Sequence, residues 1–96
     1  MKLPVHPVSE IASCFYHGAI AAFLFIGLLF HAAAAAYATY LYRMADAKLV
    51  WILATLAFYH GLLVGFLFIG VAFHTYAALA HWRDRGEGQP RDYTDG

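Results

Sequence analysis

The feature that most constrains this chain is the absence of charge over two long stretches. Residues 11–42 and 49–82 contain no Asp, Glu, Lys or Arg, and both are rich in Ala, Leu and Phe. A hydrocarbon core about 30 Å thick is crossed by about 20 apolar residues in a helix, so each stretch is long enough to span it. The sequence therefore predicts two transmembrane helices.

The charged residues mark the ends of these predicted helices. They lie in the N-terminal segment up to Glu10, in the connection from Arg43 to Lys48, and from Arg83 onward. The predicted organisation is an N-terminal segment (1–10), a first transmembrane helix (11–43), a loop (44–48), a second transmembrane helix (49–83) and a soluble, flexible C-terminal tail (84–96).

Composition and charge argue against several classes of protein. Charged residues make up 12% of the chain and the net charge is zero, so nothing indicates a nucleic-acid partner. The two ends together hold more Lys and Arg residues than the connection does, which favours both termini in the cytoplasm. We therefore expect an integral membrane protein of the bacterial inner membrane, surrounded by lipid.

An internal repeat with an offset of 43 residues organises the two apolar stretches. Residues 15–35 align with residues 58–78, and 13 of the 21 aligned positions are identical. The segments Phe-Tyr-His-Gly, Phe-Leu-Phe-Ile-Gly and Phe-His occur in both copies. Duplicated hydrophobic segments indicate a symmetric architecture. Because a short loop joins the copies, we expect an all-α membrane protein in which two transmembrane helices form an antiparallel hairpin.

Each copy of the repeat carries two histidines that are 14 residues apart, His17 and His31 in the first copy and His60 and His74 in the second. In a helix with about 3.5 residues per turn, 14 residues return to the same face, about 21 Å along the axis. Folding the hairpin brings His17 level with His74 and His31 level with His60. The pattern predicts two layers of paired imidazoles, one toward each leaflet.

Paired histidines inside a bilayer point to a cofactor, because ionisable side chains there are costly and tend to be functional. Two neutral imidazoles facing each other from neighbouring helices are the ligand set of six-coordinate haem iron. We therefore predict haem b, up to two per chain, with all four histidines as iron ligands. Gly27 and Gly70 lie four residues before His31 and His74, and they are predicted to line the cofactor site by leaving room for a macrocycle.

This ligand spacing resembles that of the transmembrane di-haem b-type cytochromes, including the cytochrome b of quinol-oxidising complexes. The resemblance covers the two apolar stretches and concerns ligand spacing. It implies electron transfer across the membrane between a high-potential and a low-potential haem, in many members with a quinone at one end. Two features differ: the ligand helices of the large cytochrome b run parallel with another helix between them, and the motif Pro-Glu-Trp-Tyr is absent from this sequence.

The size of haem bears on the expected assembly. Directly packed helices lie about 8–10 Å apart, which is closer than two imidazoles and an iron require. A lone hairpin would also leave each haem half exposed to lipid. We therefore expect a homodimer that closes a four-helix bundle, or docking onto a larger redox complex. Ligation within one chain and ligation between chains both remain open.

Three other functions are compatible with the sequence. A bacteriochlorophyll-binding antenna or accessory photosynthetic subunit also uses an intramembrane histidine with a small residue four positions before it. A membrane metal-binding protein would use histidines to pass copper, nickel or zinc. A purely structural assembly subunit would need no ligand.

No catalytic set is visible, since neither apolar stretch contains a carboxylate, and no Ser or Cys lies beside a histidine with an orienting group. The chain is therefore predicted to be an electron-transfer protein or subunit and not an enzyme. His6 and His81 have no counterpart in the other copy of the repeat, so they are interpreted as interfacial residues.

Overall fold

A computed structural model describes the backbone of residues 2–3, 7–87 and 91–92 and the side chains of residues 8–85. In chain order the elements are β1 (Lys2–Leu3), α1 (Pro7–Met44), α2 (Val50–Glu87) and β2 (Arg91–Asp92). Both helices are long and apolar enough to cross a membrane, over Val8–Met44 and Val50–Arg85. The prediction of two long apolar helices is confirmed, and the short strands are an addition to it.

Both helices extend past the charge-free stretches. Helix α1 begins at Pro7, where a proline ring already holds the backbone angle of a first helical residue. Helix α2 continues to Glu87, so residues 84–87 of the predicted tail are helical, and strand β2 follows at 91–92. The described residues do not include the rest of that tail. They also leave out residues 4–6 of the N-terminal segment, among which is His6.

The connection between the helices is a tight turn organised by Asp46. Its carboxylate accepts a hydrogen bond from the backbone N–H of Lys48 at 3.1 Å. Its carbonyl accepts the N–H groups of Leu49 and Val50, both at 3.2 Å. An aspartate that satisfies free N–H groups in this way caps the start of a helix, so α2 begins directly after the turn.

The chain divides into two compact units. The turn unit is Ala22–Val71, a helical hairpin made of the second part of α1, the Asp46 turn and the first part of α2. The terminal unit combines Met1–Ala21 with Ala72–Gly96. In the terminal unit β1 pairs antiparallel with β2, with Lys2 opposite Asp92 and Leu3 opposite Arg91. Each unit therefore takes one segment from each helix.

Large apolar side chains cover the outside of both helices. The equivalent Phe23 and Phe66 are 77% and 70% exposed, and the buried apolar side chains among those described are all alanines: Ala21, Ala38 and Ala78. A soluble protein of this size would bury its large side chains and would rarely expose so much contiguous apolar surface. The small residues therefore lie between the helices, and the large ones face whatever surrounds them.

Candidate functional site

In the terminal unit, a histidine of α1 and a histidine of α2 contact each other between the helices. His17 of α1 and His74 of α2 place their Nδ1 atoms 2.9 Å apart, and their rings meet edge to edge, with centroids at 5.1 Å and an angle of 28° between the ring planes. Because His17 lies near the start of α1 and His74 near the end of α2, the two helix segments of this unit run antiparallel. We refer to these two residues as the terminal pair.

The turn unit contains a second pair with the same geometry. His31 of α1 and His60 of α2 place their Nδ1 atoms 2.9 Å apart, with ring centroids at 5.1 Å and an angle of 28°. We refer to these residues as the turn pair. The two pairs have the same geometry because of the repeat: two copies of one segment that run antiparallel make the same contact twice. The structure thus brings the four histidines together in the two predicted pairs.

Each pair is a hydrogen bond between imidazoles, which constrains their protonation. A neutral imidazole has one N–H donor and one acceptor nitrogen, whereas an imidazolium has only donors. In each pair one Nδ1 must therefore donate and the other must accept, so the two rings differ in which nitrogen carries the hydrogen. At least one ring of each pair is neutral, and neutral imidazole is the form that binds a metal.

Aromatic side chains border three of the four rings. Tyr16, Phe30 and Phe73 each lie edge-on to the histidine that follows, with ring centroids 5.1 to 5.4 Å apart. All three are more than half exposed. The histidine rings are half-buried, so each pair lies between the helices with one side open to the surroundings.

The two glycines predicted to line the cofactor site lie where the helices approach closely. A Cβ built on Gly27 would lie 3.7 Å from Cδ1 of Leu67, and a Cβ on Gly70 would lie 2.8 Å from Cδ1 of Leu24. These contacts are equivalent in the repeat, since Leu24 corresponds to Leu67. A leucine of the opposite helix therefore occupies the space beside each glycine.

The terminal pair has two additional neighbours. The ring of His81 stacks on the ring of His17, with centroids 5.6 Å apart and an angle of 9°. Nδ1 of His81 lies 2.6 Å from Oε2 of Glu10, and Glu10 is only 4% exposed. A carboxylate only accepts hydrogen bonds, so Nδ1 of His81 donates to it. A charge-assisted contact of this kind is stronger than one between neutral groups.

The interpretation of His81 as an interfacial residue missed this contact. His81 has no counterpart in the other copy of the repeat, and in the sequence Glu10 marks only the end of the charged N-terminal segment. A local signal was present: His81 follows His74 by seven residues, and Glu10 precedes His17 by seven. Seven residues are two helical turns, so each of these side chains shares a helix face with a paired histidine.

Each pair supplies two imidazoles from different helices, which is the number of protein ligands that six-coordinate haem iron takes. The spacing within a pair is that of a direct hydrogen bond. Two metal–nitrogen bonds of about 2 Å would set the ligating nitrogens about 4 Å apart, compared with the 2.9 Å between the Nδ1 atoms. An iron would therefore not fit between the two rings of a pair as they lie, and His17 with His74, or His31 with His60, could hold haem only if their helix segments moved apart.

Within the described residues, no group of three or more His, Cys, Asp or Glu side chains is arranged to hold a metal ion. Comparisons of the chain with protein-family models, with curated proteins and with solved structures found no match.

Proposed function

We propose that this chain is a membrane b-type cytochrome, or the cytochrome subunit of a larger redox complex, that carries electrons by bis-histidine haem b. The observation that carries the proposal is the presence of two equal imidazole pairs on two helices that are long and apolar enough to span a bilayer. Bound haem supplies a one-electron carrier. The terminal pair and the turn pair would each hold one haem, so the chain would carry up to two.

The number of protein ligands in each pair favours haem over a bare metal ion. Structural zinc takes four protein ligands, and catalytic zinc takes three. Each pair supplies two imidazoles, and in the part of the chain that the structure describes no group of three or more His, Cys, Asp or Glu side chains is arranged to hold a metal ion. Six-coordinate haem iron needs two protein ligands, because the macrocycle supplies the other four.

The pairing of histidines also favours haem over bacteriochlorophyll. The magnesium of a chlorophyll usually takes one axial histidine, so a pigment site needs no second imidazole opposite the first. Both pairs place an imidazole of one helix against an imidazole of the other at hydrogen-bonding distance. A ligand that binds two histidines at once would account for this pairing, which the repeat presents twice.

We infer that the functional form is a homodimer that forms a four-helix bundle, or a complex with a larger redox partner. The support is the half-buried state of all four histidines, whose open side a second copy or a partner would cover. Large side chains such as Phe15, Phe58 and Phe73 are more than 60% exposed and supply apolar surface for this contact or for lipid. In this proposal the protein is integral to the bacterial inner membrane with both termini in the cytoplasm.

The test is a reduced-minus-oxidised absorption spectrum of the detergent-purified protein, with haem quantified as the pyridine haemochrome. We expect a sharp b-type α-band in the wild type, with up to two haems per chain. His31→Ala and His74→Ala should each remove about half of the haem, since each disrupts one pair.

Thr75→Ala is the matched control, because Thr75 is exposed and lies next to His74 in α2. It should leave the haem content unchanged. A correctly inserted but colourless wild-type protein would refute the cytochrome proposal. Near-infrared absorption bands would instead assign the histidines to bacteriochlorophyll, and a colourless protein that retains zinc or copper would assign them to a metal.

A further inference from the structure

A cation without a matching anion lies near the end of α2, just beyond the second charge-free stretch. Arg83 is paired with its neighbour Asp84, with Nε 3.8 Å from Oδ1. Arg85 instead contacts an uncharged ring, since its Cζ atom lies 3.3 Å from the centroid of the Trp82 indole. Arg85 is therefore a guanidinium whose charge is not neutralised by any carboxylate of the described residues.

We propose that Arg85, held against Trp82, is the binding site for the phosphate of an anionic phospholipid headgroup at the membrane surface. This inference rests on the membrane placement in the proposed function and is independent of haem. A free phosphate ion offers the same oxygen atoms, but an apolar helix that ends here places Arg85 where lipid headgroups lie.

The position of Arg85 along α2 matches the depth of the headgroups. The segment that is long and apolar enough to cross a membrane, Val50–Arg85, ends at this residue. Trp82 precedes Arg85 by three residues, or about 4.5 Å along the helix axis. Tryptophan is enriched at the membrane–water interface, where its ring lies at the level of the headgroups. The guanidinium next to this ring is therefore expected at the level of the lipid phosphates.

The indole of Trp82 holds the guanidinium in place. Residues three apart in a helix are neighbours on one face, so the two side chains can contact each other without distorting α2. At 3.3 Å the cation lies against the ring, whose quadrupole attracts it. A long side chain that is already held loses less conformational freedom when a ligand binds. The contact thus prepares Arg85 for an anion.

The guanidinium of Arg85 also has unused hydrogen-bond donors. It carries five N–H groups and no acceptor. Its Nε atom is shielded from solvent and has no hydrogen-bond partner, so the described part of the protein offers this group no acceptor. The two Nη groups are the donors open to a ligand. Two parallel bonds from such a planar fork fit two oxygens of one phosphate.

The neighbouring charges favour a lipid with a net negative charge. Because Arg83 and Asp84 compensate each other, Arg85 supplies the uncompensated positive charge among the described side chains of this helix end. A zwitterionic headgroup would bring its own cation close to the guanidinium, and like charges repel. A headgroup that carries a phosphate and no cation avoids this cost.

The test is native mass spectrometry of the detergent-purified protein, titrated with phosphatidylglycerol or with phosphatidylcholine of the same acyl chains. The wild type should bind the anionic phosphatidylglycerol more tightly. Arg85→Gln should weaken that binding about tenfold, because it removes charge-assisted hydrogen bonds, and should leave phosphatidylcholine binding unchanged. Equal binding of the two lipids by the wild type would overturn the proposal.

Two further variants separate the site from general attraction by charge. Arg83→Gln removes the same charge from a side chain that is 67% exposed and already paired, so it should change the affinity less than about twofold. Arg85→Lys keeps the charge and loses the planar fork, so it should lose most of the affinity. Equal weakening by Arg83→Gln and Arg85→Gln, or full binding by Arg85→Lys, would overturn the assignment to Arg85. Far-ultraviolet circular dichroism should show the same helix content in all variants.

The emission of Trp82 locates the bound lipid and identifies the source of the phosphate. The chain has two tryptophans, so Trp51→Phe leaves Trp82 as the reporter. Phosphatidylglycerol should shift its emission in a saturable way, and an excess of inorganic phosphate should not. No shift with the lipid would overturn the location. The same shift with inorganic phosphate, together with displacement of the lipid, would assign the site to free phosphate and overturn the lipid.

The outcomes separate this inference from the cytochrome proposal. A colourless protein that binds phosphatidylglycerol through Arg85 would refute the cytochrome and retain the lipid site. A protein that contains haem and binds the lipid equally well as wild type and as Arg85→Gln would overturn only the lipid site.

Discussion

The terminal unit and the turn unit contain the same imidazole pair, yet they hold their helix segments together in different ways. In the turn unit the chain itself joins the helices through a turn capped by Asp46. In the terminal unit the helix ends belong to distant parts of the chain, and a hydrogen bond joins Glu10 of α1 to His81 of α2. Besides the imidazole pair that both units have, a further polar contact between the helices thus occurs in the unit that lacks the covalent turn.

This difference has a physical reason. A short covalent turn limits the separation of two helix segments at small cost in chain entropy, whereas distant segments must be held by their own contacts. In the turn unit the covalent turn adds to the contacts of alanine and leucine side chains between the helices. The terminal unit has a charge-assisted hydrogen bond in addition to such contacts, and this kind of bond is stronger than a neutral one. The same contact places a carboxylate near one of two otherwise equal sites.

The largest expected effect tests whether each unit holds one complete site. His17→Ala alone and His17→Ala with His74→Ala should each lose about half of the bound haem, because both variants disrupt the terminal pair. His17→Ala with His31→Ala should lose all of it, because it disrupts both pairs. Pyridine haemochrome measurements per chain distinguish these cases, and equal haem contents in the two double variants would break the assignment of pairs to units.

A second prediction concerns the hydrogen bond that joins the helices of the terminal unit. Glu10→Leu leaves the polar group of His81 without this partner, at a cost of about 1–3 kcal/mol, or up to about a hundredfold faster amide hydrogen exchange in the terminal unit. Adding His81→Ala removes both partners and should recover most of the loss, since it recreates Leu53 and Ala38 of the turn unit. Failure of the second change to restore protection would show that the contact does not hold the helices together.

A third and smaller effect tests the covalent side of the comparison. Asp46→Ala removes the carboxylate that accepts the N–H of Lys48, and losing such a cap costs about 1 kcal/mol. Hydrogen exchange should accelerate about fivefold at the start of α2 and stay unchanged in the terminal unit. Asp46→Asn is the control, because asparagine caps about as well as aspartate. Equal acceleration in both units would mean that they do not unfold separately.

The smallest effect tests how closely the two copies of the repeat match in packing. Gly27→Ala adds a methyl group at ordinary contact distance from Leu67, so it should gain up to about 0.5–1 kcal/mol from reduced backbone freedom in the unfolded chain. Gly70→Ala would meet Leu24 at 2.8 Å and should gain less, because that leucine has to move. Unfolding in mixed detergent measures both, and a larger gain for Gly70→Ala would contradict the described packing.

Much of this fold follows from local pattern. The charge-free stretches predict two helices, and the boundaries differ by only a few residues because a helix does not end where the lipid is expected to end. The repeat and the 14-residue spacing predict which histidine meets which, since antiparallel copies leave few alternatives. The functions of the four histidines and of Gly27 and Gly70 remain predictions.

The sequence by itself determined the periodic features of this protein: two apolar helices, their inverted repetition and the equality of the two histidine pairs. What only the tertiary structure decided is the asymmetry between those pairs. His81 and Glu10 are 71 residues apart, and no spacing within one helix reveals that they meet at 2.6 Å. That contact depends on how α1 and α2 pack against each other, because it joins side chains from opposite ends of the chain.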